Sequence, residues 1–152
     1  MMRRRPTADE RKQTIEHLAY EIWMLVRTRQ LILERWEQLD RVVANAVIEA
    51  HAVHVRNLIC FLFDRSDGKE IRASDFVPEW QEVRTETLGR AQGRVDTEIA
   101  HISYERLKVS GPAKAWDPSL DDEILAALDR WIHKAGDDVK TIVVGDFLLG
   151  GV

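Results

Sequence analysis

Apolar residues recur at three- and four-residue spacing in four stretches of this chain, a pattern that predicts amphipathic helices. The first predicted helix begins at Thr7-Ala-Asp-Glu10, which has the form of a capping box. The second extends from Leu33 to Phe63 and is expected to be the central buried element. The third extends from about Glu79 to Lys108, and the fourth begins at Ser119 and ends at Gly136.

The segments between and after these helices have a different composition. Asp64–Lys69 ends the second helix with turn-forming residues, and Ile71–Trp80 is a connector broken at Pro78. The tail after Gly136 is apolar, with β-branched residues and three glycines, and is expected to be an ordered extended strap. We therefore predict an all-α fold, an up-and-down four-helix bundle with a long connector between helices 2 and 3 and an ordered C-terminal strap.

The chain has 152 residues, enough for a single domain (1–152) with a sizeable core. Within it, 1–6 is expected to be a flexible basic arm and 137–152 the C-terminal tail. An apolar share of 45% and a charged share of 32% are typical of soluble globular proteins. No membrane span and no signal peptide are expected from the pattern, so the expected location is cytoplasmic.

Net charge and cysteine content limit which substrates and which nucleophiles the protein could use. The formal charge of −4 gives no general attraction for nucleic acid, so an RNA substrate would need a local basic cleft formed between subunits. The single cysteine, Cys60, lies in the apolar run Leu58–Phe63 and is interpreted as a core residue and not a nucleophile. No motif of a hydrolase with a Ser or Cys nucleophile is recognisable.

The densest run of chemically useful side chains is Gly93–Arg106, in the third predicted helix. At about 100° per residue, Arg94 and His101 project from one face of this helix, two turns apart. Glu98 lies between them, four residues after Arg94 and three before His101. An adjacent apolar seam that would hold the helix on the core is formed by Val95, Ile99 and Ile102.

An Arg, six intervening residues and a His in a helical protein of this size resembles the Arg-x(4–6)-His motif of the HEPN superfamily, the higher eukaryotes and prokaryotes nucleotide-binding domains. The segment Glu49–Phe63 also resembles the second helix of such bundles. The resemblance implies a homodimer in which the motif helices face each other across a cleft. It further implies a metal-independent ribonuclease that needs no cofactor, with RNA as substrate and an antitoxin or another protein as partner, as in toxin–antitoxin systems.

Such an enzyme would give the residues of the motif defined roles. Cleavage needs a group that withdraws the ribose 2′-hydroxyl proton or protonates the leaving 5′-oxygen, and His101 suits this task because imidazole titrates near neutrality. Arg94 suits the neutralisation of phosphate charge because a guanidinium stays charged and offers two donors. Glu98 is expected to orient His101, and Tyr104 to bind substrate by stacking a base or donating to phosphate.

The second predicted helix carries further polar residues. Arg56 and Asn57 are candidates for substrate binding as a wall of the active site, and equally for a structural hydrogen-bonding pair. His51 and His54 are three residues apart near Glu49 and are weak candidates for metal ligation, although a histidine in an apolar stripe is more often a hydrogen-bonded core residue. The motif also contains one Glu-x-x-His, half of the paired pattern of di-iron bundles, and the chain has no second copy.

The alternative to an enzyme is a non-catalytic helical interaction or dimerisation protein. In that interpretation Arg94 pairs with Glu98, His101 faces another glutamate, and both contacts belong to an ordinary charged helix surface. Gly89 and Gly93, four residues apart, would permit the close approach of another helix, for example from a second subunit.

Overall fold

A computed structural model of the protein describes residues 5–64, 69–99, 117 and 119–149, without the side chains of 146–149. These ranges contain no strand, which confirms the predicted all-α class. A 3₁₀ turn, Trp36–Gln38, follows the first helix, and a π-helical segment, Val95–Ile99, directly continues the fourth. The α-helices are α1 (Ala8–Glu34), α2 (Arg41–Phe63), α3 (Ala73–Phe76), α4 (Glu86–Arg94), α5 (Ser119–Ala135) and α6 (Asp137–Leu149).

The helix α1 begins at the predicted capping box. The Thr7 hydroxyl accepts a hydrogen bond from the backbone N–H of Glu10 at 3.2 Å, and the Glu10 carboxylate accepts one from the N–H of Thr7 at 2.9 Å. These bonds satisfy amides that the first turn of a helix leaves without partners. The predicted apolar stripe faces the core through Ile15, Leu18, Ala19, Ile22 and Leu25.

The boundary between the first two helices differs from the prediction. The helix α1 continues to Glu34, so the predicted start of the second helix at Leu33 is wrong. Asp40 sets the start of α2, because its carboxylate accepts hydrogen bonds from the N–H groups of Val42 and Val43 at 2.9 and 3.1 Å. The cap at Asp40 therefore marks the start of α2.

An aromatic cluster joins α2, α3 and α5. The ring of Trp131 is fully buried and lies edge-on to Phe61 and Phe76, at centroid distances of 5.0 and 5.6 Å. Its indole N–H donates to the carbonyl of Ala73 at 3.1 Å. In the connector, the indole N–H of Trp80 donates to a carbonyl in the last turn of α2 at 2.7 Å. The connector between α2 and α4 therefore packs on the helices.

The helix that carries the motif is shorter at its start than predicted. Thr85 caps α4 by accepting a hydrogen bond from the N–H of Leu88 at 3.2 Å, so the predicted start at Glu79 is wrong. The helix then continues through the π segment to Ile99. The rest of the predicted helix, up to Lys108, lies outside the described residues.

The two glycines of α4 lie in open surroundings within the described part of the chain. A Cβ added at Gly93 would meet no atom within 4 Å, and one added at Gly89 would meet the Arg84 side chain at 3.6 Å. These glycines therefore do not serve the close approach of another described helix.

The described part of the C-terminal tail, Asp137–Leu149, is a helix and not the predicted extended strap. Gly136 has a φ of +111°, which lets the chain turn from α5 into α6, and the predicted end of the fourth helix is thereby confirmed. Val139 and Val143, four residues apart, are buried on one face of α6, which packs against α1. Arg11 of α1 fixes the turn by donating to the carbonyl of Ala135 at 2.8 Å. Burial of the two valines outweighs the weak helix propensity of this β-branched segment.

By length and composition, α2 is the one helix within the described ranges that could cross a membrane. Half of its most apolar 18-residue window is buried inside the protein. The core helix of a globular protein has the same length and composition, so these two properties do not identify a membrane span.

A chain of polar side chains crosses the core from α1 to α5. The Thr28 hydroxyl lies 2.8 Å from Nδ1 of His51, and Nε2 of His51 lies 3.2 Å from the Asp121 carboxylate. Thr28, His51 and Asp121 are 5%, 1% and 0% exposed. The guanidinium of Arg29 lies 3.6 Å from the second Asp121 oxygen. Because a buried carboxylate needs opposite charge or donors around it, His51 and Arg29 together stabilise Asp121 in the core.

His51→Ala is expected to lower the free energy of unfolding by about 3–5 kcal/mol, because Asp121 would stay buried after losing a partner. Urea denaturation followed by far-UV circular dichroism measures this change. The control is His133→Ala, which removes an exposed histidine that lies 3.6 Å from Asp129 and should change the free energy by less than about 0.5 kcal/mol. Equal effects of the two variants would contradict a stabilising role for the buried network.

Candidate functional site

Arg94 and Glu98 form an ion pair at the end of α4. Nε of Arg94 lies 3.2 and 3.3 Å from the two carboxylate oxygens of Glu98, and Nη2 lies 3.2 Å from one of them. The side chains are 30% and 17% exposed, so the pair lies at the edge of the core within reach of solvent. The four-residue spacing noted in the sequence thus produces a direct contact between these two candidate residues.

The π segment receives a second arginine from α2. Arg56 donates through Nε to Asp96 at 2.5 Å, and this hydrogen bond raises the pKa of Arg56. The side chains of the pair are 41% and 42% exposed. Asp96 lies about half a turn from Arg94, so Arg56 and Arg94 flank the segment on two sides, with the buried Val95 between them. Two arginines that the sequence singled out in separate helices therefore meet the same short segment.

Asn57 is directed toward α1 and not toward the π segment. Its amide nitrogen donates to Glu21 at 3.2 Å, and Nδ1 of His54 lies 2.6 Å from the same Glu21 oxygen. Tyr20 packs edge-on to the His54 ring at a centroid distance of 5.8 Å. Arg56 and Asn57, which were predicted together as substrate-binding residues, therefore have different neighbours, and Asn57 belongs to a hydrogen-bonded cluster between α1 and α2.

The two candidate metal-binding histidines face different partners. His51 lies between Thr28 and Asp121, whereas His54 is bound to Glu21. Within the described ranges, no group of three or more His, Cys, Asp or Glu side chains could hold a metal ion. Both rings therefore fit the interpretation of hydrogen-bonded core histidines.

Thr28, His51 and Asp121 have the order of a nucleophilic triad: hydroxyl, imidazole and carboxylate. Two observations indicate that this group has a structural role. The Thr28 hydroxyl donates to the carbonyl of Met24 in its own helix at 2.6 Å, and all three side chains are at most 5% exposed. Sequence reasoning did not find Thr28 or Asp121, because their contact with His51 joins residues that are far apart in the chain.

Two of the predicted site residues, His101 and Tyr104, lie outside the described residues. The described part of the motif ends at Ile99. The structure therefore brings together Arg94, Glu98 and Arg56 at the π segment, and the contacts expected between Glu98 and His101 stay a prediction.

The single cysteine is buried and faces α4. Cys60 is 8% exposed, and its sulfur accepts a hydrogen bond from the amide of Gln92 at 3.1 Å. Burial raises the pKa of the Cys60 thiol to about 11, and the nearby Asp64 carboxylate adds to this effect. The thiol is therefore protonated at neutral pH, and its burial confirms the interpretation of Cys60 as a core residue.

Cys60 is expected to react slowly with the thiolate-specific reagent DTNB. Because the pKa rises from 9.0 to about 11, the thiolate fraction at pH 8 is about 100-fold lower than in the unfolded chain. The unfolded chain loses the thiol proton at a lower pH than the folded protein. The contribution of the protonated thiol to the free energy of unfolding is therefore complete below pH 9 and is lost as the pH rises toward 11. Reaction rates in buffer and in concentrated urea provide the measurement, and equal rates would show that the thiol is not protected.

Comparison with known proteins does not assign this chain to a family. No protein-family model matches the sequence, and neither a curated protein nor a solved structure matches it. The resemblance to the HEPN superfamily therefore depends on the residues of the motif itself.

Proposed function

We propose that this chain is a HEPN-like homodimer that binds RNA beside the π segment and cleaves it without a metal ion. The supporting observation is that Arg94 of α4 and Arg56 of α2 meet the same segment, Val95–Ile99. A guanidinium binds phosphate through two donors, so arginines on two sides of one helix offer a chain of phosphates two points of attachment. In this proposal α1, α2, the α4–π helix and α5 form the up-and-down four-helix bundle.

The proposed reaction uses the ribose 2′-hydroxyl as the nucleophile. His101 withdraws its proton as the oxygen attacks phosphorus, or protonates the leaving 5′-oxygen as the P–O bond breaks. Arg94 neutralises the charge that develops on the phosphate oxygens. Glu98 contacts Arg94, so we assign it to positioning this guanidinium before RNA binds. Arg56 would bind a neighbouring phosphate.

A second copy of the chain would complete the active site. With the motif helices facing each other, both copies of Arg94 and His101 line one cleft within a protein of net charge −4. An antitoxin or another protein would act by covering this cleft, and the expected location is cytoplasmic.

Arg94→Ala is expected to slow the cleavage of single-stranded RNA at least about 100-fold, because the cation that faces the developing charge is lost. The assay uses end-labelled RNA in the presence of EDTA. His101→Ala should have a similar effect. Thermal midpoints should change little, because the Arg94–Glu98 pair is part-exposed and contributes about 1 kcal/mol or less.

Arg90→Ala is the matched control for this experiment. Arg90 lies one turn before Arg94 on the same helix, and its side chain is 68% exposed and pairs with Glu86. Its removal changes the net charge by the same amount as the removal of Arg94 and should leave the rate of cleavage unchanged. Absence of cleavage by the wild type, or equal loss in Arg90→Ala and Arg94→Ala, would refute the proposed ribonuclease.

A second candidate function, dimerisation without catalysis, is favoured by an exposed apolar surface. We define the apolar corner as the exposed large hydrophobic residues at the end of α1, the 3₁₀ turn and the start of α2. These residues lie close together in the sequence, and exposed apolar side chains that gather on one surface are typical of protein contacts. The exposed charged residues of the same stretch carry both signs: Glu34, Arg35, Glu37, Asp40 and Arg41. The corner consists of Leu31, Leu33, Trp36, Val42 and Val43.

Val42→Glu is expected to convert the dimer into a monomer, because it introduces a charge at a side chain that is 77% exposed in the isolated chain and would be buried between two copies. Light scattering coupled to gel filtration measures the mass. Val83→Glu is the control, since Val83 is 87% exposed on the connector outside the corner. A wild-type chain that is monomeric at high concentration, or a Val42→Glu variant that stays dimeric, would rule out this interface.

A further inference from the structure

Both arginines beside the π segment are bound by carboxylates of that same segment. Arg56 donates to Asp96 at 2.5 Å, and Arg94 contacts both oxygens of Glu98 at 3.2 and 3.3 Å. Asp96 and Glu98 are two residues apart and neutralise one cation on each side of the helix. Each of them occupies donors that an anionic ligand would need.

A carboxylate and a phosphodiester present the same feature to a guanidinium, namely two oxygens that share a negative charge. In the Arg94 pair, Nε and Nη2 are both engaged by Glu98. A phosphate can therefore bind this edge of Arg94 only after Glu98 leaves. The same exchange is required at Nε of Arg56, where Asp96 is bound.

We propose that Asp96 and Glu98 form an internal anionic latch, which occupies Arg56 and Arg94 and opens when the phosphodiester backbone of RNA takes its place. The inference rests on the proposed function, because that function supplies RNA as the polyanion. A single phosphate that displaces one carboxylate forms one new contact in exchange for the lost one. A chain of linked phosphates forms several contacts at once. The latch therefore favours long polyanions over small anions.

The exposure of the two pairs allows such an exchange. The Arg56 and Asp96 side chains are 41% and 42% exposed, and those of Arg94 and Glu98 are 30% and 17% exposed. Ion pairs with this access to solvent are weak, because water competes for both partners. The released carboxylate can turn toward water.

Glu98→Gln and Asp96→Asn test the latch, since each removes one negative charge and preserves the shape of the side chain. The probe is a fluorescently labelled 2′-O-methyl oligoribonucleotide of mixed sequence, which keeps the phosphates and lacks the attacking hydroxyl. Fluorescence anisotropy measures its affinity. Each variant is expected to bind about two- to fivefold more tightly than the wild type. This ratio of affinities corresponds to the free energy of an exposed ion pair.

Glu86→Gln is the matched control, because it removes the same charge from α4 at a side chain that is 84% exposed and pairs with Arg90 at 3.4 Å. A gain in Glu98→Gln or Asp96→Asn that exceeds the gain in Glu86→Gln supports the latch, even where wild-type binding is too weak to measure. Equal affinities in all three variants, or no binding in any of them, overturn it.

The same experiment separates the latch from the proposed ribonuclease. If the wild type cleaves RNA but the three variants bind the probe equally, the proposed latch is wrong and the proposed ribonuclease activity is supported. If Glu98→Gln binds more tightly but neither it nor the wild type cleaves RNA, the ribonuclease is wrong and the latch stands. Circular dichroism confirms that each variant is folded, and one folded variant of the two is sufficient for the test.

Discussion

Packing against α2 positions five of the other described elements. This helix contacts α1, α3, α4, the π segment and α5, so five elements share it as a common surface. Helical periodicity then directs its polar residues to different neighbours: His51 to α5, His54 and Asn57 to α1, and Arg56 to the π segment. The apolar core thereby fixes the partner of each polar group on α2 as well as the arrangement of the helices.

Features that depend on residues a few positions apart could be predicted from the sequence. The capping box at Thr7 and the helix stop at Gly136 are of this kind. The start of α2 could not be predicted from periodicity, because apolar residues continue on both sides of Asp40 and one side-chain cap decides the boundary. The tail was misjudged for another reason: Val139 and Val143 favour extended structure locally, and only their burial against α1 makes this segment helical.

The same distinction applies to the candidate site. The contact of Arg94 with Glu98 follows from spacing along one helix. The contact of Arg56 with Asp96 joins residues 40 positions apart and depends on how both helices are rotated about their axes. A π-helical turn adds a residue and rotates the side chains that follow it, which a pattern based on 3.6 residues per turn cannot anticipate. The contact of Asp96 with Arg56 cannot be predicted from the spacing of residues along one helix.

Burial separates the polar contacts that hold this fold from the ion pairs that can take part in binding. Asp121 and His51 are 0% and 1% exposed, so releasing that carboxylate would leave a charge in the core without compensation. The pairs at the π segment are part-exposed, and water or an external anion can replace the carboxylate at a small change in free energy. A protein with a net negative charge that binds a polyanion needs cations whose internal partners can be displaced. Arg56 and Arg94 meet that requirement, because their carboxylates can leave without exposing the core.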